Sequence, residues 1–142
     1  MINSSLKKLS VFKNETILNC LKKLNSTNKQ FVYVKDKKDK LIGILTDADV
    51  RRALLKKKKL SDSIKNIYNR SPKFVFEGDN IDKIKNIFKE TKVNVLLVVN
   101  KKYQVVNFFD IHSISTQKKI ENSMVIMAGG KGLRLRPFTI KN

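Results

Sequence analysis

Apolar residues recur along the first 116 positions in two patterns that take turns, stretches at helical spacing and short continuous runs. Ile17, Cys20, Leu21 and Leu24 stand at helical spacing, and so do Ile81, Ile84 and Phe88. Phe31–Val34 and Val95–Val99 are short runs of β-branched and aromatic residues, the pattern of buried strands. Polar turns, Asp36–Lys40 and Asn100–Lys102, lead from them into Leu41–Leu45 and Tyr103–Val106, so each strand starts a hairpin. Asn14 or Glu15-Thr16 can start the first helix, and Asp79 is the expected N-cap of the second, with Asp82 in its first turn. Ala48–Leu55 reads as a further helix, Ser61–Tyr68 as a short helical connector, and Ser71-Pro72 as the restart of extended chain.

These segments form an internal repeat of strand, helix, hairpin and helix. Ile17, Cys20 and Leu24 match Ile81, Ile84 and Phe88 at a separation of 64 residues. Matching Asp49 to Asp110 gives a separation of 61, so the second copy is expected to be three residues shorter between helix and aspartate. Neither copy buries enough surface alone, which predicts that the two pack as one unit. The expected fold class is α+β, with two β-α-β-β-α copies related by a pseudo-twofold. The expected divisions are 1–72 (first copy with connector), 73–116 (second copy), a polar linker at 117–123, and the start of something new at 124–142.

Composition changes this picture little. A hydrophobic content of 41% supports a packed core, and no apolar run approaches a membrane span. The N-terminus lacks the apolar stretch of a signal peptide. The single cysteine, Cys20, excludes an intramolecular disulfide and suits a cytoplasmic setting. The net charge of +19 raises nucleic-acid binding as a possibility. However, only five of the 31 basic residues are arginines, the lysines are spread over every segment, and no aromatic series interleaves them, which argues against that reading. His112, the one histidine, has no Cys or His cluster around it, so no metal site is expected.

Gly43-Ile44-Leu45-Thr46-Asp47-Ala48-Asp49-Val50-Arg51-Arg52-Ala53-Leu54 closely resembles the signature that ends a CBS domain, and the two copies together resemble a tandem CBS pair, or Bateman module, over roughly residues 8–116. The match is weaker in the second copy, where Gln104 stands for the usual glycine and Asn107 for the usual Thr or Ser of Asn107-Phe-Phe-Asp110. The resemblance implies that Thr46 and Asp49 bind the ribose of an adenine nucleotide (AMP, ADP or ATP), that Arg51 or Arg52 reaches its phosphate, and that Asn107 and Asp110 form the second site. It also implies homodimers formed through the CBS pairs. An N-cap at Thr46 or Asp47, with Asp49 favoured by the helix dipole, explains the same residues without a ligand. A purely structural dimerisation module is then the alternative.

Val125-Ile-Met-Ala-Gly-Gly-Lys-Gly-Leu-Arg-Leu-Arg-Pro-Phe-Thr139 reads as a strand, Met124–Met127, running into a glycine-rich basic loop. It resembles the opening of a sugar-1-phosphate nucleotidyltransferase, of the mannose-1-phosphate guanylyltransferase kind, with Leu133 where a small hydroxyl residue is common. By that resemblance Gly129, Gly130, Lys131 and Gly132 cradle the triphosphate and Arg134 stabilises its charge. The parent enzyme would use magnesium to transfer a nucleotidyl group to a sugar 1-phosphate, releasing pyrophosphate. The chain is expected to hold the regulatory pair and only the first strand of that missing α/β domain, and not to catalyse the reaction alone.

Overall fold

Thr16 opens the first long helix because its hydroxyl accepts the Asn19 N–H at 3.2 Å, satisfying an amide that the helix cannot. The same logic places Asn80, not Asp79, at the start of the second, with its side chain accepting the Asp82 N–H. Asp79 instead accepts the Phe76 N–H and pairs with Lys83 at 2.9 Å, closing the turn before the helix. The computed structural model describes residues 4–111. In order these are α1 (Ser4–Lys8), β1 (Ser10–Phe12), α2 (Ile17–Thr27), β2 (Phe31–Lys35), β3 (Leu41–Thr46), α3 (Asp47–Leu55), a 3-10 turn (Ile64–Asn66), β4 (Phe74–Phe76), α4 (Ile81–Thr91), β5 (Val95–Val99) and β6 (Val105–Asp110). Position His112, the linker, strand Met124–Met127 and the glycine loop with Arg134 lie outside the described residues.

The described residues build two three-stranded sheets, β1-β2-β3 and β4-β5-β6, each with one parallel and one antiparallel pair. From β1 to β3 every element recurs 64 residues later with the same bounds. Even the irregularities repeat: α2 and α4 end on left-handed Asn28 and Lys92, and the hairpins turn through left-handed Asp39 and Tyr103. The second copy is therefore not shortened by three residues. Lys40 bridges to Gln104, its own counterpart, so the pseudo-twofold axis passes between them.

Among the described residues three apolar clusters hold the fold together. One lies inside the first copy, around Val11, Ile17, Cys20, Leu45 and Ile64. A smaller one lies inside the second, around Val75, Ile84, Phe88 and Leu96. The third is shared: Phe31 and Tyr33 meet Leu97, Val99 and Val105, and Phe31 stacks edge-on with Phe108 at 5.1 Å. Burying these side chains is worth about 1.5–3 kcal/mol each, so the copies stabilise one another.

Two local readings change. The helical connector contracts to the single 3-10 turn, anchored by buried Ile64, whose N–H donates to the Glu15 carbonyl at 2.9 Å. Helix α1 has only five residues, too few for periodicity to announce it, yet Leu6 and the following Leu9 are buried in the shared cluster.

Candidate functional site

Strand β3 delivers Thr46 to the start of α3, and the cap it makes there is reciprocal. The Thr46 hydroxyl accepts the Asp49 N–H at 3.3 Å, and the Asp49 carboxylate accepts the Thr46 N–H at 2.9 Å, a capping box. The Thr46 hydroxyl also donates to Asp49 Oδ2 at 2.7 Å. Arg52 Nη2 donates to the other oxygen, Oδ1. Arg51, one residue earlier, instead pairs with Asp47 at 2.9 Å. The Asp47 N–H donates to the Gln30 carbonyl at 3.1 Å. The amides of Thr46, Asp47 and Asp49 are thus all used within the protein.

All five of these α3-end residues line one cleft of about 560 Å³ between the copies. Phe31 and Ile44 supply apolar wall from the first copy, and Val93 and Val95 from the second. The connector adds Asn69, Ser71 and Lys73, which sequence reasoning did not single out. Their signal was the polar stretch before Pro72 next to a strand start; what it lacked was any sign that it runs along this cleft. Asn69 does so because its backbone pairs with Ile44, N–H to O at 2.8 Å and O to N–H at 3.0 Å. That pairing needs the adjacent Gly43. A Cβ there would stand 2.7 Å from the Asn69 carbonyl oxygen and 2.3 Å from the Tyr68 ring. Gly43 therefore serves the connector.

The second candidate pair sits differently from its expected match. Phe31 pairs with Thr46 and Val95 with Asp110; Val34 pairs with Gly43 and Val98 with Asn107. Asp110 thus holds the place of Thr46, and Asn107 that of Gly43, three residues from the register that aligned aspartate with aspartate. Asn107 is exposed on β6 and accepts the Phe108 N–H at 2.9 Å; it does not line the 560 Å³ cleft. The position 64 residues after Asp49 is Ser113, outside the described residues. The surroundings differ too. Exposed Lys73 corresponds to Leu9, which is 2% exposed within the shared core.

Among the described residues no cluster of three or more His, Cys, Asp or Glu could hold a metal ion, and no helix is long and apolar enough to cross a membrane.

Comparison with known proteins agrees with this geometry. The family model described as CBS domain matches residues 5–56. No curated protein sequence matches the chain. Among solved structures, the CBS domain pair of protein MJ0100, in complex with 5′-methylthioadenosine and S-adenosyl-L-methionine, is similar at 23% identity and TM-score 0.69, over 78% of this chain and 96% of that one. A CBS domain protein from Pyrobaculum aerophilum, complexed with AMP, is similar at 19% identity and TM-score 0.67, over 72% and 79%. The cytosolic domain of the Mg2+ channel MgtE, in complex with ATP, is similar at 18% and 0.67, over 75% of this chain but 43% of that one. Residues 5–56 are thus similar to a CBS domain, and the described residues have the fold of a CBS domain pair.

Proposed function

We propose that this CBS pair is a regulatory module that binds one adenine nucleotide (AMP, ADP or ATP) in the cleft between its copies. One observation carries the reading: Thr46 and Asp49 stand together in a 560 Å³ inter-copy cleft that also gathers Arg51, Arg52 and Lys73. Its volume falls within the range of about 300–1,000 Å³ usual for small-molecule sites. Asp49 offers the carboxylate for ribose hydroxyls, the valines and Phe31 offer apolar surface for a base, and the cations offer partners for phosphate. The ligands named for the three similar structures share an adenosine moiety, which favours the adenine class. Asn107 and Asp110 remain candidates for a second site, but their register and buried Leu9 favour one ligand per chain.

The regulated activity we propose is a sugar-1-phosphate nucleotidyltransferase in the cytoplasm. This rests on the motif Gly129-Gly130-Lys131-Gly132 with Arg134 and on nothing in the described fold. A homodimer formed through the pairs is part of the same proposal. A purely structural module is the second reading, favoured by the fact that Asp49 already caps α3 and pairs with Arg52.

Calorimetric titration with AMP, ADP, ATP and GTP tests the choice. Binding of an adenine nucleotide at one site per chain, weakened more than tenfold in Asp49→Asn with the melt retained, supports the regulatory reading. Absence of heat with any of them at millimolar ligand sinks it and leaves the structural one.

A further inference from the structure

We propose that Arg52 is a latch on Asp49 that makes the inter-copy cleft select phosphorylated ribose ligands over unphosphorylated ones; this rests on the nucleotide reading above. A carboxylate offers about four lone-pair positions. On Asp49, Oδ2 already accepts the Thr46 N–H and hydroxyl at 2.9 and 2.7 Å, and Oδ1 accepts from Arg52. One position remains, on Oδ1. A ribose that donates both of its vicinal hydroxyls to this carboxylate needs a second, and the bond to Arg52 is the one that can yield. The Thr46 N–H bond is half of the capping box that fixes the start of α3, and the Thr46 hydroxyl is held in place by the other half, the bond it accepts from the Asp49 N–H.

Exposure points the same way. The Asp49 side chain is 14% exposed and that of Arg52 is 71% exposed, so the carboxylate is fixed while the guanidinium is free to swing. A ligand without phosphate displaces Arg52 into water and gains nothing from it. A ligand with phosphate gives the displaced, planar guanidinium an anion it can bind in bidentate fashion in the same cleft. Arg51 pairs with Asp47 and not with Asp49, so ribose binding at Asp49 does not release it.

Adenosine, AMP and ATP titrated into the full chain, as wild type, Arg52→Ala and Arg52→Lys, test the latch. In Arg52→Ala we expect adenosine to bind up to about fivefold tighter, the range for freeing an exposed ion pair. AMP and ATP should bind about tenfold weaker for loss of a charge-assisted contact. Arg52→Lys should recover part of the AMP and ATP affinity. Equal weakening of all three ligands in Arg52→Ala, or unchanged adenosine affinity, overturns the latch while the nucleotide site stands. No binding of any ligand by wild type overturns the site and the latch with it.

Discussion

Gly43→Ala places one methyl group where the connector crosses the first sheet. The new Cβ would lie 2.3 and 2.6 Å from Tyr68 ring carbons and 2.7 Å from the Asn69 carbonyl oxygen. The Tyr68 ring could yield only by leaving the first core, which it packs against, and the Arg70 guanidinium above it at 5.8 Å. The Asn69 carbonyl is backbone, held by the Ile44 N–H at 3.0 Å and paired through its own N–H at 2.8 Å. Lifting the connector to make room forfeits both bonds, at about 1 kcal/mol net each. The resulting cost of about 2 kcal/mol lies within the 1–3 kcal/mol usual for overpacking. For a domain of this size it lowers Tm by roughly 10 °C.

Asn107→Ala is the internal control. Asn107 has the same place in the second sheet's register, is exposed, and already carries a Cβ, so its truncation should change stability by less than about 0.5 kcal/mol. Thermal melts followed by circular dichroism, without nucleotide, separate the two variants. If Gly43→Ala melts within about 2 °C of wild type, or Asn107→Ala falls as far, the connector argument is wrong.

Burial, with Glu15 adding to it, pushes the Cys20 thiol from its ordinary 9.0 up to about 12. The native chain should resist iodoacetamide at pH 8 and label readily in urea, as mass spectrometry would show. Because the folded pKa is the higher one, this thiol's contribution to stability is present below pH 9 and is lost as pH rises from 9 towards 12. Urea midpoints should fall over that window, and less so in Cys20→Ala. Phe31→Ala removes a ring that is 2% exposed and shared between the copies, at a cost of about 3–5 kcal/mol. Its melt should remain one transition at lower temperature; two separated transitions would refute the shared core.

Much of this was legible from residue pattern alone. Thr16 was among the expected caps, and the runs at Phe31 and Val95 marked buried strands because β-branched and aromatic side chains in short runs have few other uses. The Thr46–Asp49 pair was readable both as a cap and as a ribose site. The geometry realises the cap and sets the pair in a cleft, so the two readings are not exclusive. The second pair was misaligned because identity of letters, Asp49 with Asp110, outweighed constancy of spacing. Strand pairing depends on loop length and backbone register, and both copies keep the same hairpin length. The connector's path was illegible for a related reason: it follows from an empty space at Gly43, which a sequence shows only as a glycine.

The repeat fixes the backbone symmetrically, while the side chains break that symmetry in one consistent direction. On the first copy's edge, Gly43 admits the connector, and the connector brings Asn69, Ser71 and Lys73 to the cleft. The pseudosymmetric positions are Ser5, Lys7 and Leu9. That stretch folds as α1 and runs into Leu9, with Leu6 and Leu9 buried beside Phe108, and Asn107 stands where a glycine would be needed to admit a strand-like connector. Apolar side chains there raise the stability of the shared core, since each buried leucine is worth about 1.5–3 kcal/mol. The same burial removes the polar wall that a nucleotide would need. A duplicated fold with one polar and one apolar edge can thus hold itself together on one side and present a ligand cleft on the other. That division of labour accounts for the stronger signature in the first copy and is the physical basis of the one ligand per chain that we propose.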